Sequence, residues 1–224
     1  MTLSLTLMAG APCARAEAPA VASSASPPSE DICAHTACRK GGFNIAVLWE
    51  DGNYVGVPVP HSPYVLDDGS IIIYPGETLA FQFSVDGDTL SPPKFVQRFA
   101  PRHAAQVYVD GKLSANPDDA QLPPRPDVTE LPPNTILISY DNLDDMKKGM
   151  GTGTSLEVGS TLPKMLKFDA TLNMLKTVGT GYDPKHRDTC AVQAHSYGAI
   201  AWSNPNASIV IRHFHFTTDL MTCS

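Results

Sequence analysis

The chain has few basic residues, and none of its segments gathers them into a patch. Its 224 residues contain 16 Lys and Arg against 23 Asp and Glu, which gives a formal net charge of −7 at pH 7. A phosphate backbone repels a protein with this balance unless basic side chains are clustered locally. Nucleic acid is therefore not expected as a partner.

Long apolar runs and cofactor motifs are also missing. A membrane-spanning helix needs about 18 consecutive apolar residues, and no segment after residue 16 reaches that length. We therefore expect no membrane span. The glycine-rich segment GMGTGTS (149–155) lacks the Gly-Lys-Ser/Thr ending of a phosphate-binding loop. It is expected to be a flexible loop, and no cofactor is predicted.

What the sequence does contain is a series of four Asp-Gly pairs, at 51–52, 68–69, 86–87 and 110–111. Such a pair favours the tight turn of a β-hairpin, because Gly and Asp tolerate the positive φ that this turn requires. The segments between the pairs are rich in β-branched and aromatic residues and are too short for long helices. The pattern predicts an antiparallel all-β protein with at least eight strands.

Several segments alternate between apolar and polar residues, as in TLAFQFSV (78–85) and KMLKFDATLNM (164–174). Alternation with a period of two is typical of a sheet with one packed face and one wet face. The predicted fold class is a disulfide-bonded antiparallel β-sandwich, immunoglobulin-like or jelly-roll-like, with little helix. One helical turn is expected over Leu143 to Lys148, with Asn142 as its cap.

The N-terminal region indicates export. Residues 1–16 have an apolar run that ends in Ala14-Arg15-Ala16, which fits the small-x-small rule for signal-peptide cleavage. Residues 17–31 are rich in Ala, Ser and Pro and are expected to form a disordered tether. Residues 32–224 are expected to form a single β domain. The protein is therefore predicted to be periplasmic or secreted.

A proline-rich segment interrupts this domain. Residues 115–134 hold six of the 20 prolines, so they cannot form a central strand. We expect a long connection that crosses the end of the sandwich. The alternatives are a binding loop and an interdomain linker.

Four cysteines remain after the predicted cleavage: Cys33, Cys38, Cys190 and Cys223. An even number in an exported chain indicates two disulfides. The expected pairs are Cys33 with Cys38 and Cys190 with Cys223, because a terminal hairpin with arms 190–202 and 208–216 would bring the second pair together. The alternative is a metal ion held by Cys33, His35 and Cys38, which requires a further ligand and a reducing compartment.

The same hairpin carries the best candidate for chemistry. His213 and His215 are two residues apart and share one face of a strand, which suits two ligands of one metal ion. A five-residue turn around 204–206 would place His195 opposite His215 and complete a three-histidine site. A shift of one residue in register abolishes the cluster. The favoured interpretation is that these are ordinary surface or packed histidines and that no metal is bound, and the three-histidine site is the alternative.

Two weaker patterns complete the candidates. The segment AHSYG (194–198) resembles a nucleophile elbow. In that motif an acid and then a histidine follow the serine along the chain, and this sequence does not have them in that order. The acid pairs 67–68, 118–119 and 144–145 lack the spacing of a calcium loop.

The sequence therefore favours a binding or accessory protein of the cell envelope or extracellular space, without catalysis, whose ligand is an envelope component, a glycan or a protein. The alternative is a metal-dependent hydrolase or oxidoreductase that uses His195, His213 and His215.

Overall fold

Strands dominate the fold. The computed structural model describes residues 32–49, 52–144, 152–176 and 181–219. Strands make up 55% of these residues, and no helix of seven or more residues occurs among them. The predicted all-β class with little helix is confirmed. The predicted signal peptide (1–16) and tether (17–31) lie outside the described residues.

The strands are, in chain order, β1 Cys38–Arg39, β2 Phe43–Leu48, β3 Tyr54–Val59, β4 Ser62–Pro63, β5 Ile71–Ile73, β6 Glu77–Gln82, β7 Val85–Asp86, β8 Thr89–Leu90, β9 Lys94–Phe99, β10 Gln106–Val109, β11 Lys112–Ala115, β12 Thr135–Asp144, β13 Thr152–Ser160, β14 Leu166–Leu175, β15 Tyr182–Asp188, β16 Tyr197–Trp202 and β17 Asn206–Phe216. Three short 3₁₀ helices cover Ile32–Ala34, Pro117–Gln121 and Val128–Glu130.

Two antiparallel sheets form the main sandwich. One has the strand order β16-β13-β12-β6-β9, and the other has the order β15-β14-β17-β5. Their inner faces share one hydrophobic core, to which strands such as β14 contribute alternating apolar residues. Fully buried members of this core include Leu79, Phe81, Ile136, Ile138 and Leu156 from the first sheet, and Ile71, Ile73, Leu166, Phe168, Ile209 and Ile211 from the second.

A third sheet, with the order β11-β10-β2-β3, has a smaller core of its own. Its valines and Ile45 pack with Tyr74 and Ala207, and Ile72 of β5 lies against the same cluster. Ile72 therefore packs outside the main core while its neighbours Ile71 and Ile73 pack within it. Both faces of β5 are covered, which explains why this short strand is apolar throughout.

The Asp-Gly signals mark turns. Asp110 and Gly111 form the two-residue connection between β10 and β11, and both have positive φ, at 50° and 74°. Gly87 begins the connection between β7 and β8, and Gly69 lies in a turn in which its amide donates to Leu66 O. Gly52 lies between β2 and β3, whereas Asp51 is outside the described residues.

Two local predictions between β12 and β13 are wrong. Asn142, Leu143 and Asp144 continue β12 instead of forming a capped helical turn, and residues 152–155 belong to β13 instead of a loop. The reason is cross-strand pairing, which extends as far as Asp144 opposite Thr152 and outweighs the low strand propensity of Asn and Asp. Residues 145–151 lie outside the described residues.

The predicted terminal hairpin is also wrong. β16 pairs with β13, and β17 pairs with β14 and β5, so the two arms lie in different sheets. Residues 203–205 carry the chain from one sheet to the other. The buried side chain of Asn206 fixes this crossover, because its Nδ2 donates to Thr154 Oγ1 at 2.7 Å. Period-two alternation suits any antiparallel neighbour, so it did not identify the partner of either arm.

The proline-rich segment connects β11 to β12, as expected, but it covers the outer face of the five-stranded sheet. Val128 and Leu131 pack there against Ala80 and Leu137. A capping box at Asp127 orders this part of the connection, since its carboxylate accepts from the Thr129 amide at 3.0 Å and Glu130 accepts from the Asp127 amide at 2.9 Å.

A buried ion pair fixes the N-terminal part of the described chain. Arg39 binds both carboxylate oxygens of Glu77, at 3.0 and 3.1 Å. Its remaining donors go to Ser62 Oγ and to the carbonyl oxygens of Pro63 and Ile72. The buried guanidinium is therefore fully hydrogen-bonded, as a charge in an apolar environment must be.

No helix in the described part of the chain is long and apolar enough to cross a membrane.

Candidate functional site

The three predicted histidine ligands are not brought together. His195 lies in a turn before β16, at the edge of the five-stranded sheet, while His213 and His215 are on β17 in the opposite sheet. His213 Nδ1 is 2.7 Å from Asp169 Oδ2, and His215 Nδ1 is 2.7 Å from His213 O. In the described residues, the groups of three close candidate ligands include none of these histidines. The three-histidine site, which was the alternative interpretation of these residues, is not assembled because the hairpin that would bring them together does not form.

The cysteine motif near the N-terminus forms a disulfide. Cys33 and Cys38 are joined, with their Cα atoms 5.6 Å apart, which is the pairing that the sequence predicts for them. His61, and not His35, lies next to the sulfur atoms. A disulfide offers no thiolate, so this group is not a metal site. Cys190 is also disulfide-bonded, and its predicted partner, Cys223, lies outside the described residues, so that pairing stays a prediction.

The remaining sequence candidates serve local structure. Asp68 accepts hydrogen bonds from the amide and hydroxyl of Ser70, which lowers its pKa. Asp118 pairs with Lys40, and Asp119 with Arg98. Asp145 lies outside the described residues. In the AHSYG segment, Ser196 lies in a turn that leads into a strand, not at the strand-to-helix junction of a nucleophile elbow.

Among the described residues, one candidate binding site is an open depression of about 530 Å³ at the outer face of the five-stranded sheet. Four segments contribute to it: the β9–β10 connection, the proline-rich connection, β13 and the start of β16. Its lining residues are Arg102, Arg125, Pro126, Asp127, Glu157 and Tyr197. We call it the Tyr197 depression.

Two arginines hold the carboxylate of Glu157. Arg102 Nη1 donates to Oε2 at 2.5 Å, and Arg125 Nη2 donates to Oε1. Glu157 points outward because it alternates along β13 with the buried Leu156 and Val158. The Glu157 side chain is only 19% exposed, while that of Arg102 is 54% exposed. Arg102 therefore keeps donors that a ligand can reach.

Tyr197 supplies an aromatic surface at the edge of the depression. It lies directly opposite Gly159 in the β13–β16 ladder, and its ring covers this glycine. A Cβ at position 159 would lie 2.8 Å from the ring, so only glycine leaves room for it. The Tyr197 hydroxyl accepts a hydrogen bond from the Val128 amide at 2.7 Å, and the Arg125 guanidinium lies 5.9 Å from the ring centre. These contacts hold the ring in place, and the Tyr197 residue as a whole is still 40% exposed.

The positive and negative side chains that line the depression are equal in number. Two guanidinium groups face two carboxylates, Glu157 and Asp127. The hydrogen bonds that Asp127 accepts from Thr129 lower its pKa, which keeps it ionised at neutral pH. The lining therefore offers both donors and acceptors without a net charge.

A third acid lies under the same face of the sheet. Asp141 of β12 is buried, and burial raises its pKa, while His103 and Arg102 oppose this effect. His103 Nδ1 is 3.6 Å from Asp141 Oδ2. Asp141 Oδ1 is buried without a hydrogen-bond partner among the described residues. The free energy of unfolding therefore depends on pH through the ionisation of this carboxyl.

The sequence did not single out Arg102, Arg125, Glu157 or Tyr197 as a group. They come from four segments that have no common motif, and only the sheet register and the docking of the proline-rich connection bring them together. The one available signal was the alternative in which residues 115–134 carry a binding loop, since Arg125 and Asp127 belong to that segment.

No protein-family model matches the sequence, and no curated protein or solved structure is significantly similar to the chain.

Proposed function

We propose that this chain is an exported, non-catalytic glycan-binding protein, and that a neutral saccharide binds in the Tyr197 depression. The observation that carries the proposal is the exposed Tyr197 ring held beside the Arg102–Glu157–Arg125 cluster. A flat aromatic ring packs against the apolar face of a sugar, while charged neighbours hydrogen-bond to its hydroxyl groups.

The chemistry of the lining favours a neutral ligand over an anion. A sugar hydroxyl both donates and accepts hydrogen bonds, so it suits a surface that offers guanidinium donors and carboxylate acceptors together. Each oxygen of Glu157 keeps a lone pair after binding its arginine. Because the charges of the lining residues balance, the depression gives an anion little electrostatic advantage.

The arrangement supports binding more than cleavage. Glycoside hydrolysis commonly uses two carboxyl groups that flank the scissile bond. Here both oxygens of Glu157 are in ion pairs, and Asp127 Oδ1 accepts from the amide and hydroxyl of Thr129. The Cys33–Cys38 disulfide and the predicted signal peptide support export.

Calorimetric titration with a panel of neutral and uronic-acid-containing oligosaccharides tests this proposal. We expect a neutral member to bind, and Tyr197→Ala to weaken that binding by about tenfold or more, as the loss of an aromatic contact and its buried area implies. Tyr182→Ala is the matched control, since this tyrosine of β15 is equally exposed, at 40%. Binding of acidic members alone, binding of none, or equal effects of the two variants would refute the proposal.

A further inference from the structure

Three side chains with ligand atoms meet on the exposed face of the other sheet, where β15, β14 and β17 lie side by side, and a fourth contacts one of them. They are Asp169, His186, Asp188 and His213. The register explains the first three: Asp169 is directly opposite Asp188, and His186 is two residues before Asp188 and so shares its face. All three point away from the main core, because Asp169 alternates with the buried Phe168 and Ala170.

The distances between these groups are short. One ligand atom from each of Asp169, His186 and Asp188 lies within 4.8 Å of the other two. His186 Nε2 is 3.9 Å from Asp188 Oδ1, and His213 Nδ1 is 2.7 Å from Asp169 Oδ2. Ligands bound to one ion at about 2.0 to 2.2 Å are themselves roughly 3 to 3.5 Å apart. Asp169, His186 and Asp188 are therefore close enough to share one ion, and His213 contacts Asp169 of this group.

A β-bulge brings His213 to this cluster. The β14–β17 register shifts between Lys167 and Asp169, and His213 has a φ of 55°, which is rare for a residue other than glycine. Bulges re-aim a side chain at the point where they interrupt a ladder. Without the shift, His213 would alternate with Arg212 and face the opposite side of the sheet. The backbone distortion thus adds a second imidazole to the cluster.

We propose that Asp169, His186, Asp188 and His213 bind one divalent transition-metal ion, with Zn²⁺ as the representative. Two imidazoles with carboxylate oxygens suit Zn²⁺ and its first-row neighbours, whereas Ca²⁺ and Mg²⁺ prefer oxygen ligands alone. The nearby cation Arg212 donates to Thr171 Oγ1 at 2.7 Å, so this guanidinium has a partner other than the two carboxylates. This site lies on the other sheet from the Tyr197 depression and does not depend on glycan binding.

Equilibrium dialysis of the full chain against Zn²⁺ tests the site. The test variants are His186→Ala and His213→Asn, since Asn tolerates the positive φ at position 213. Their matched controls are His35→Ala, an exposed histidine elsewhere, and His195→Asn, an exposed histidine with a φ of 53°. Circular dichroism confirms that each variant is folded, and Asp169→Asn is a further test variant if one of the histidine variants does not fold.

We expect one Zn²⁺ per chain, with affinity reduced by about tenfold or more in both test variants and unchanged in both controls. Wild-type affinity in either folded test variant would overturn the proposal. So would the absence of saturable Zn²⁺ binding, which would leave His213–Asp169 and His186–Asp188 as simple surface ion pairs.

Discussion

Glu157 holds two arginines with one carboxylate, so its charge is needed for both contacts. Glu157→Gln keeps the shape of the side chain but removes the carboxylate charge that Arg102 and Arg125 both bind. We expect the free energy of unfolding to fall by about 1 to 2 kcal/mol, as for a partly buried charged hydrogen bond. Urea denaturation at neutral pH measures this loss.

The matched control is Asp88→Asn, because Asp88 pairs with Lys164 on an exposed turn. An exposed pair of this kind contributes about 0.5 kcal/mol or less. A loss in Glu157→Gln no larger than in Asp88→Asn would mean that the paired arginines do not depend on Glu157.

The buried carboxyl of Asp141 predicts a particular pH dependence. Burial raises its pKa in the folded state, so the folded protein binds more protons than the unfolded chain just above the ordinary Asp value of about 3.9. Ionisation of Asp141 therefore costs stability as the pH rises through this window. Asp141→Asn removes the cost, so the variant should gain stability relative to wild type between pH 4 and pH 7.

Asp68→Asn should show the opposite trend in the same experiment. Hydrogen bonds from Ser70 lower the pKa of Asp68 in the folded state, so its stabilising effect is present above the unfolded pKa and is lost as the pH falls through the folded value. Urea denaturation of both variants at pH 4 and pH 7 gives the comparison. If the stability of both variants relative to wild type changed in the same direction with pH, the opposite pKa shifts of Asp141 and Asp68 would be contradicted.

The proline-rich connection is more than a link between strands, because it covers apolar surface of the five-stranded sheet. Leu131 is 9% exposed and packs with Val128, Ala80 and Leu137. Leu131→Ala should lower the free energy of unfolding by about 2 to 4 kcal/mol, as for other buried leucines. Leu113→Ala is the control, since Leu113 on β11 is 42% exposed and should cost little. Thermal and urea denaturation that fail to separate the two variants would show that the connection is not docked.

Sequence patterns predicted the structure correctly where a segment's own residues determine it. The alternation along β14 and the turns at Asp110-Gly111 and Gly87 follow from side-chain periodicity and from the φ that glycine permits. Sequence patterns did not predict the structure where it depends on pairing between segments that are far apart in the chain. Periodicity reports which face of β16 or β17 is covered but not which strand lies beside it, so the predicted hairpin was wrong, and the alternative three-histidine site depended on it. The Tyr197 depression depends on the same long-range contacts.

Covalent links constrain the unfolded chain as a whole. The predicted Cys190–Cys223 bond would enclose β16 and β17 and contribute roughly 3 to 4 kcal/mol by the chain-entropy estimate. Cys223→Ser should therefore lower the melting temperature and free Cys190 to react with a thiol reagent. Peptide mapping of the unreduced protein checks the pairing directly. A peptide that joins Cys190 to Cys33 or Cys38 would contradict it.

Amide NMR detects directly whether a saccharide binds beside Tyr197. Backbone amide shifts are followed while the tightest-binding neutral oligosaccharide of the panel is added to the isotope-labelled chain. We predict that the largest changes cluster at Val128, Gly159 and Tyr197, with little change at Tyr182 and Asp169 on the other sheet. Changes centred on another surface, or none at saturating concentrations, would contradict it.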